Sequence, residues 1–284
     1  MKRILITGAN SYVGTSVEKW LIKDPNNYHV ETLDMQNPSW VTFDFSKFDV
    51  VFHVAGIAHV SKKKSMEDLY YKVNRDLTIQ TAQIAKSSGV KQFIFMSSMI
   101  VYNSKDTKIT LETIPKPDNF YGMSKLLAEE GLLTLWSDEF SVCILRPPMI
   151  YGPNSKGNFP KLIKIAKKTL VFPYIENKRS MLHIDNLSIF IKNAINDTKA
   201  GLYFPQNKEY SCTTSIIKKI ANINNRRIWF TKLLNPLIFL FKNRINIINK
   251  VFGDFYYDIN KDVLDSFISL DDSLLDIERA KTDE

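Results

Sequence analysis

Two cysteines and four histidines in 284 residues leave the chain poor in metal ligands and disulfide partners. Cys143 and Cys212 stand far apart without metal spacing, and the histidines are dispersed. Neither a metal centre nor a disulfide framework is expected, and a reduced, cytoplasmic compartment is the simplest setting. No stretch approaches the ~18 apolar residues of a membrane span. The start, Met1 to Thr7, is basic and then apolar, but the apolar run is too short for a secretory signal. Repeats and low-complexity linkers are absent as well. Lysine is spread along the chain, with small clusters at Lys62–Lys64 and Lys167–Lys168, and no basic face interleaved with aromatics declares itself. No nucleic-acid partner is therefore expected. The net charge of +8 reads as a general bias suited to anionic small ligands or to solubility. What remains is 44% apolar and 24% charged residues, enough for one large domain or a domain with a smaller lobe.

Apolar runs alternate with helical patterns over the first half. Arg3–Thr7 predicts a buried strand that enters the turn Gly8-Ala9-Asn10-Ser11-Tyr12-Val13-Gly14 and then a helix with Val17, Trp20 and Leu21. A strand, a tight turn and a helix start can hold a pyrophosphate on backbone N–H groups. A second strand, His29 to Asp34, ends in an acid twenty positions after Gly14, where a carboxylate can bind an adenosine ribose. The third, Phe48 to Gly56, ends in small residues that let a flat ligand approach. A helical pattern from about Met66 to Ser87 carries Asn74. Strand four, Gln92–Ser98, ends in two hydroxyls, and strand five covers Ser141–Pro147. The alternation predicts an α/β fold: a doubly wound parallel sheet (Rossmann type) with a smaller C-terminal substrate lobe. The expected division is 1–155 with 183–204 for the nucleotide-binding domain, and 156–182 with 205–284 for the lobe.

The chemistry centres on Asn119-Phe120-Tyr121-Gly122-Met123-Ser124-Lys125. Tyr121 and Lys125 are one helical turn apart on one face. A cation beside a phenol favours the phenolate, which would make Tyr121 a proton carrier.

Together these motifs resemble the extended short-chain dehydrogenase/reductases, in particular the NAD-dependent nucleotide-sugar epimerase/dehydratase branch. The likeness runs from about Lys2 to Leu187. It rests on Thr7–Gly14, Val54-Ala55-Gly56, Val73-Asn74, Ser97-Ser98 with Val101-Tyr102, Tyr121–Lys125, Arg146–Pro153, and Arg179 with His183-Ile184-Asp185. Ser11 stands where the family's glycine fingerprint has its middle glycine. The resemblance implies Ser98, Tyr121 and Lys125 as catalytic hydroxyl, acid/base and helper cation, with Lys125 also on the nicotinamide ribose. It implies that Gly8, Ser11, Tyr12, Val13 and Gly14 hold the pyrophosphate of NAD and Asp34 its adenosine ribose. Asp44 would meet the adenine amine, and Ala55, Gly56, Ser97, Tyr121 and Pro147 would line the cofactor. Arg179 would pair with the substrate diphosphate, with Asn158 as a further substrate contact; no metal is implied.

The implied reaction is redox chemistry at C4 of a nucleotide-activated hexose, a UDP-sugar. Met99 and Ile100 occupy the positions where 4,6-dehydratases of the family carry an Asp-Glu pair, which argues against that elimination. A UDP-hexose 4-epimerase fits Asp34, which has no neighbouring Arg or Lys and so favours NAD. A 4-ketoreductase of a UDP-4-keto-6-deoxy sugar, serving capsule or O-antigen synthesis, is the alternative. A non-catalytic NAD-sensing relative would usually lack the Tyr or the Lys. By analogy the Tyr121 helix and the 66–87 helix could form a homodimer contact. The stretch Trp229–Val251, taken as one helix, could lie on an anionic membrane surface.

Overall fold

Six short apolar runs become one parallel sheet. In the computed structural model, which describes residues 1–57, 64–103, 105–242, 246–258, 263–264 and 268–279, the strands are β1 (Lys2–Thr7), β2 (Tyr28–Leu33), β3 (Val50–His53), β4 (Gln92–Met96), β5 (Ser141–Leu145) and β6 (Gly201–Tyr203). Their order across the sheet is β6-β5-β4-β3-β1-β2, and every pairing is parallel. The chain is thus a doubly wound α/β fold. The four central strands are buried over most or all of their length, as strands covered on both faces must be, whereas β2 at the edge has mixed burial. Strand order reverses between β1 and β3, the crevice at which such sheets take ligands.

Helices flank the sheet in two pairs. Helix α1 (Tyr12–Leu21) packs with α5 (Ile184–Asn196), and Trp20 Nε1 donates to Asp185 at 2.9 Å. Helix α3 (Leu77–Ser87) packs with α4 (Phe120–Leu133). The helix expected over 66–87 is not uniform. A short α2 (Glu67–Tyr70) passes into a π-helical turn, Tyr71–Asp76, before α3 begins. A π turn carries one residue more than an α turn, and here the residue it buries completely is Asn74. The core beneath α3 and α4 is aromatic and aliphatic: Phe45, Phe48, Val51, Phe93, Phe95, Leu132, Phe140 and Ile144.

These elements form one unit, Met1–Ser104, Ile114–Pro148 and Ile184–Pro205; a second unit holds Lys105–Thr113, Met149–His183 and Gln206–Glu284. The second has its own core of Tyr151, Phe159, Ile163, Phe172, Ile217, Ile220 and Leu274. Among the described residues it holds four two-stranded pairs, including Met149–Tyr151 with Met181–His183 and Val171–Pro173 with Trp229–Thr231. The single helix expected over Trp229–Val251 does not form. The stretch is a strand, Trp229–Thr231, followed by helices Asn235–Lys242 and Asn246–Phe252, with 243–245 outside the described residues. Pro236 sits in the first turn of its helix, where its missing N–H costs nothing, so it starts that helix instead of interrupting a longer one. Among the described residues, no helix is long and apolar enough to cross a membrane.

Candidate active site

The turn after β1 is held against the end of β2. Gly8 N and Ala9 N both donate to the Leu33 carbonyl, at 2.9 and 3.2 Å, which brings the turn beside Asp34. Gly8 has φ +98°, and a Cβ there would lie 2.8 Å from Ala55 N, so no other residue fits without moving the backbone. This is the β1/β3 crevice, and Ala55 closes its other side. Ser11 caps α1: its Oγ accepts Gly14 N at 3.1 Å, and Thr15 N donates to its carbonyl at 2.9 Å. The serine in the glycine fingerprint therefore serves the helix end, and the N–H groups of Tyr12 and Val13 are first-turn donors of the kind a helix leaves without an intrahelical partner. Among the described residues the buried Tyr12 hydroxyl has no hydrogen-bond partner; burial and then Asp185 push its phenol up. Asp34 is exposed and takes Gln36 N at 2.9 Å. Asp44 is also exposed, but it caps the short 3-10 turn Phe45–Lys47, and the Ser46 hydroxyl and N–H hold its carboxyl below the usual range.

At the carboxyl end of β4 the expected hydroxyls part company. Ser98 Oγ accepts Ile100 N at 3.3 Å and is near enough to the Tyr121 phenol to favour its ionisation. Ser97 Oγ turns the other way and bonds Glu129. Tyr121 stands in the first turn of α4, which Asn119 caps through Gly122 N at 2.9 Å. Gly122 is needed for close approach, since a Cβ would lie 2.4 Å from the Ile100 carbonyl. Pro147 is buried, and its carbonyl accepts Met99 N at 2.9 Å, which ties β5's end to the Ser98 turn.

Lys125 departs from expectation. Its Nζ donates to the Met96 carbonyl at 2.8 Å and lies 4.6 Å from the centre of the Phe95 ring. Burial pushes its ammonium down to about 8, with Glu129 opposing. The phenol of Tyr121 gains nothing from it: burial raises Tyr121 to about 12, against a lowering by Ser98. The helical spacing put both residues on one face, but the long lysine stem carries its charge to the strand end. Gly56 and Asn74 meet there, since a Cβ on Gly56 would lie 2.9 Å from Asn74 Oδ1 and 3.4 Å from Lys125 Nζ. Asn74 is locked by Ile57 N (2.8 Å), the Ile57 carbonyl (3.2 Å) and Ser124 Oγ (3.1 Å). His53 lies between Thr7 and Thr78 at 2.7 and 3.0 Å; burial and then Lys125 push it down to about 3, so it is neutral.

The residue that the sequence reading missed is Glu129. It is 2% exposed and paired with Arg146, whose Nη2 lies 2.5 Å from Oε2. Arg146 Nη1 also donates to Tyr102 Oη at 2.8 Å. Burial works against the Arg146 charge, and Glu129 more than restores it. Glu129 follows Lys125 by four residues, as Lys125 follows Tyr121, so the same helical spacing was the available signal.

Asn158 and Arg179 belong to the second unit. Asn158 opens the helix Asn158–Lys168 and is exposed. Arg179 is partly buried, its Nη1 donates to the Gly253 carbonyl at 2.9 Å, and burial lowers its guanidinium against Asp254. Among the described residues, no cluster of His, Cys, Asp and Glu could hold a metal.

The fold and this cluster define a doubly wound α/β enzyme with a Ser–Tyr pair and a buried lysine at the sheet's carboxyl edge. The chain belongs to the NAD dependent epimerase/dehydratase family, whose model matches residues 4–203. It is 30% identical to the UDP-glucose 4-epimerase of Vibrio cholerae over 91% of this chain and 88% of that one. It is 27% identical to the N-acetyl-alpha-D-glucosaminyl-diphospho-ditrans,octacis-undecaprenol 4-epimerase of Escherichia coli O157:H7, over 89% and 82%. The UDP-glucuronic acid 4-epimerase of Bacillus cereus, solved in complex with NAD, superposes with a TM-score of 0.75 over 99% of both chains at 23% identity.

Proposed function

We propose that the protein is an NAD-dependent 4-epimerase of a UDP-activated hexose. The observation that carries this reading is the nearness of Ser98, at the end of β4, to the buried Tyr121 phenol, in a chain 30% identical over 91% of its length to a UDP-glucose 4-epimerase. The residues present fit the dinucleotide: Gly8, packed against the Ala55 backbone where no Cβ fits, keeps the turn into α1 tight, and the N–H groups of Tyr12 and Val13 at that helix start would meet the pyrophosphate. Asp34, next to that turn and exposed, would take the adenosine ribose, and Asp44 the adenine amine. Ala55, Gly56, Ser97 and Pro147 would line the site, and Lys125 would reach the nicotinamide ribose. Bound NAD supplies a hydride acceptor at the sugar's C4 and returns the hydride. Tyr121 takes the proton of the C4 hydroxyl and would return it to the C4 oxygen once the ketone has presented its other face to the cofactor, while Ser98 steadies the oxygen. Burial holds the Tyr121 phenol up to about 12 while Lys125 is bonded to the Met96 carbonyl, and a turn of Lys125 toward the phenol would favour the phenolate. Arg179 and Asn158, in the lobe, would hold the substrate diphosphate and sugar.

Tyr121→Phe should lose about 10²–10⁴ in turnover while folding and binding NAD; a near-normal rate overturns the role. To separate the epimerase from a 4-ketoreductase, the nicotinamide retained through purification would be identified and C4 inversion assayed without added cofactor. Inversion supports the epimerase, and reduction that requires added NADH or NADPH supports the reductase. The relative named for a polyprenyl-diphosphate sugar, together with the exposed apolar helix Asn235–Lys242, favours a lipid-carried hexose as a second substrate reading. Cys143, buried, and Cys212, partly so, form no disulfide, which suits a cytoplasmic site of action. A homodimer through α3 and α4 stays an analogy, tested by light scattering.

A further inference from the structure

Residues 210–253 hold eight lysines and arginines and no aspartate or glutamate, which is the whole net charge of +8; the rest of the chain balances. The sequence reading of a diffuse bias is thereby corrected. The charge belongs to one segment of the second unit, and the most exposed part of that segment is apolar. Leu233 is 84% exposed, Trp229 71%, Leu240 63% and Leu237 58%. They are gathered by the fold: Leu233 N bonds Thr231 Oγ1 at 3.2 Å, and Asn235 Nδ2 bonds the Tyr174 carbonyl at 2.8 Å, so the strand Trp229–Thr231 runs directly into the helix Asn235–Lys242. Between its ends that helix reads Pro-Leu-Ile-Phe-Leu-Phe, with no polar side chain. A helix apolar all round is stable where something covers it. Among the described residues its packing partner is Asn246–Phe252, and Leu237, Phe239 and Leu240 remain open. Arg226, Arg227 and Lys232, next to them, are exposed.

Leucine and tryptophan projecting among cations match the boundary of an anionic bilayer, where apolar side chains enter the acyl region and lysine and arginine meet lipid phosphates. Nucleic acid would ask for successive aromatic platforms along a basic groove, whereas the exposed apolar positions here are mostly leucine, Leu233, Leu234, Leu237 and Leu240. We propose that segment 226–242 docks this protein on an anionic membrane surface, with Trp229, Leu233, Leu237 and Leu240 inserted and Arg226 and Arg227 on the headgroups.

The test is flotation of the full chain with vesicles of phosphatidylglycerol and phosphatidylcholine, and with phosphatidylcholine alone. It reads no catalysis, so its failure and the failure of the epimerase reading are separable. The protein should float with the anionic vesicles and not with the neutral ones. The bound fraction should fall roughly tenfold or more in Leu233→Ser/Leu237→Ser/Leu240→Ser and, separately, in Arg226→Glu/Arg227→Glu; thermal melts of both variants check folding. No retention of the wild type on anionic vesicles overturns the proposal, as does retention that neither variant weakens. A wild-type dimer that the leucine variant turns into a monomer, with no vesicle binding, would assign the face to a second copy and equally overturn it.

Discussion

Lys125 is a charge kept where water is scarce, 4% exposed, and this sets a measurable cost. Its native value, about 8, lies below the 10.5 of a free lysine, so between those values the unfolded chain binds the proton more tightly. Stability should therefore rise with pH across that window, and the penalty is constant below it. Lys125→Met should gain about 2 kcal/mol at pH 7, roughly 3 for the relieved penalty less about 1 for the bond to the Met96 carbonyl, and the gain should disappear near about pH 10 and reverse above it. Urea melts at several pH values check this, and a variant no more stable than the wild type at pH 7 contradicts it. Activity should be lost in the same variant. Arg179, in the other unit, is argued from affinity instead: Arg179→Ala should weaken UDP-sugar binding with little change in melting temperature. Unchanged affinity in titration calorimetry would reassign the residue.

Elements fix these residues through contacts too close for any larger side chain, and glycines predict how rigid each contact is. At Gly122 a Cβ would lie 2.4 Å from a backbone carbonyl, that of Ile100, whereas at Gly131 it would lie 2.3 Å from the tip of the Ile79 side chain. Backbone cannot yield, and a side-chain methyl can rotate. Gly122→Ala should cost about 2 kcal/mol or more and lower activity by parting Tyr121 from Ser98, while Gly131→Ala should cost under about 1. Melting temperatures of the two variants decide the point. Strands, the Gly8 turn, the helix carrying Tyr121 and Lys125 and the strand-end hydroxyls were legible because periodicity and turn chemistry are local. Lys125's direction, the Glu129–Arg146 pair and the different tasks of Ser97 and Ser98 were not, because each depends on which strand end lies across from α4. The 229–251 stretch misled for a related reason: its apolar run has no face, so periodicity could not show where the strand gives way to helices.

For the molecule as a whole, a ligand that binds only the folded chain stabilises it in proportion to the logarithm of its concentration. NAD at about a hundredfold over its dissociation constant should contribute about 2.7 kcal/mol. Removing any copurified dinucleotide should lower the melting temperature, and adding NAD back should restore it; a melt insensitive to NAD would count against the Gly8 turn as its seat. Thiol titration offers an independent check of the fold. Cys143 is 0% exposed in β5 and should react only on unfolding, ahead of which Cys212 alone is within reach.

The wide turn at Tyr71–Asp76 has one more consequence. One added residue rotates everything upstream by about 100° relative to α3. Excising a single residue from that stretch would leave a smoother helix and a worse protein: the carboxamide now clasping Ile57 would swing out of phase, and the floor under the lysine's amine would open.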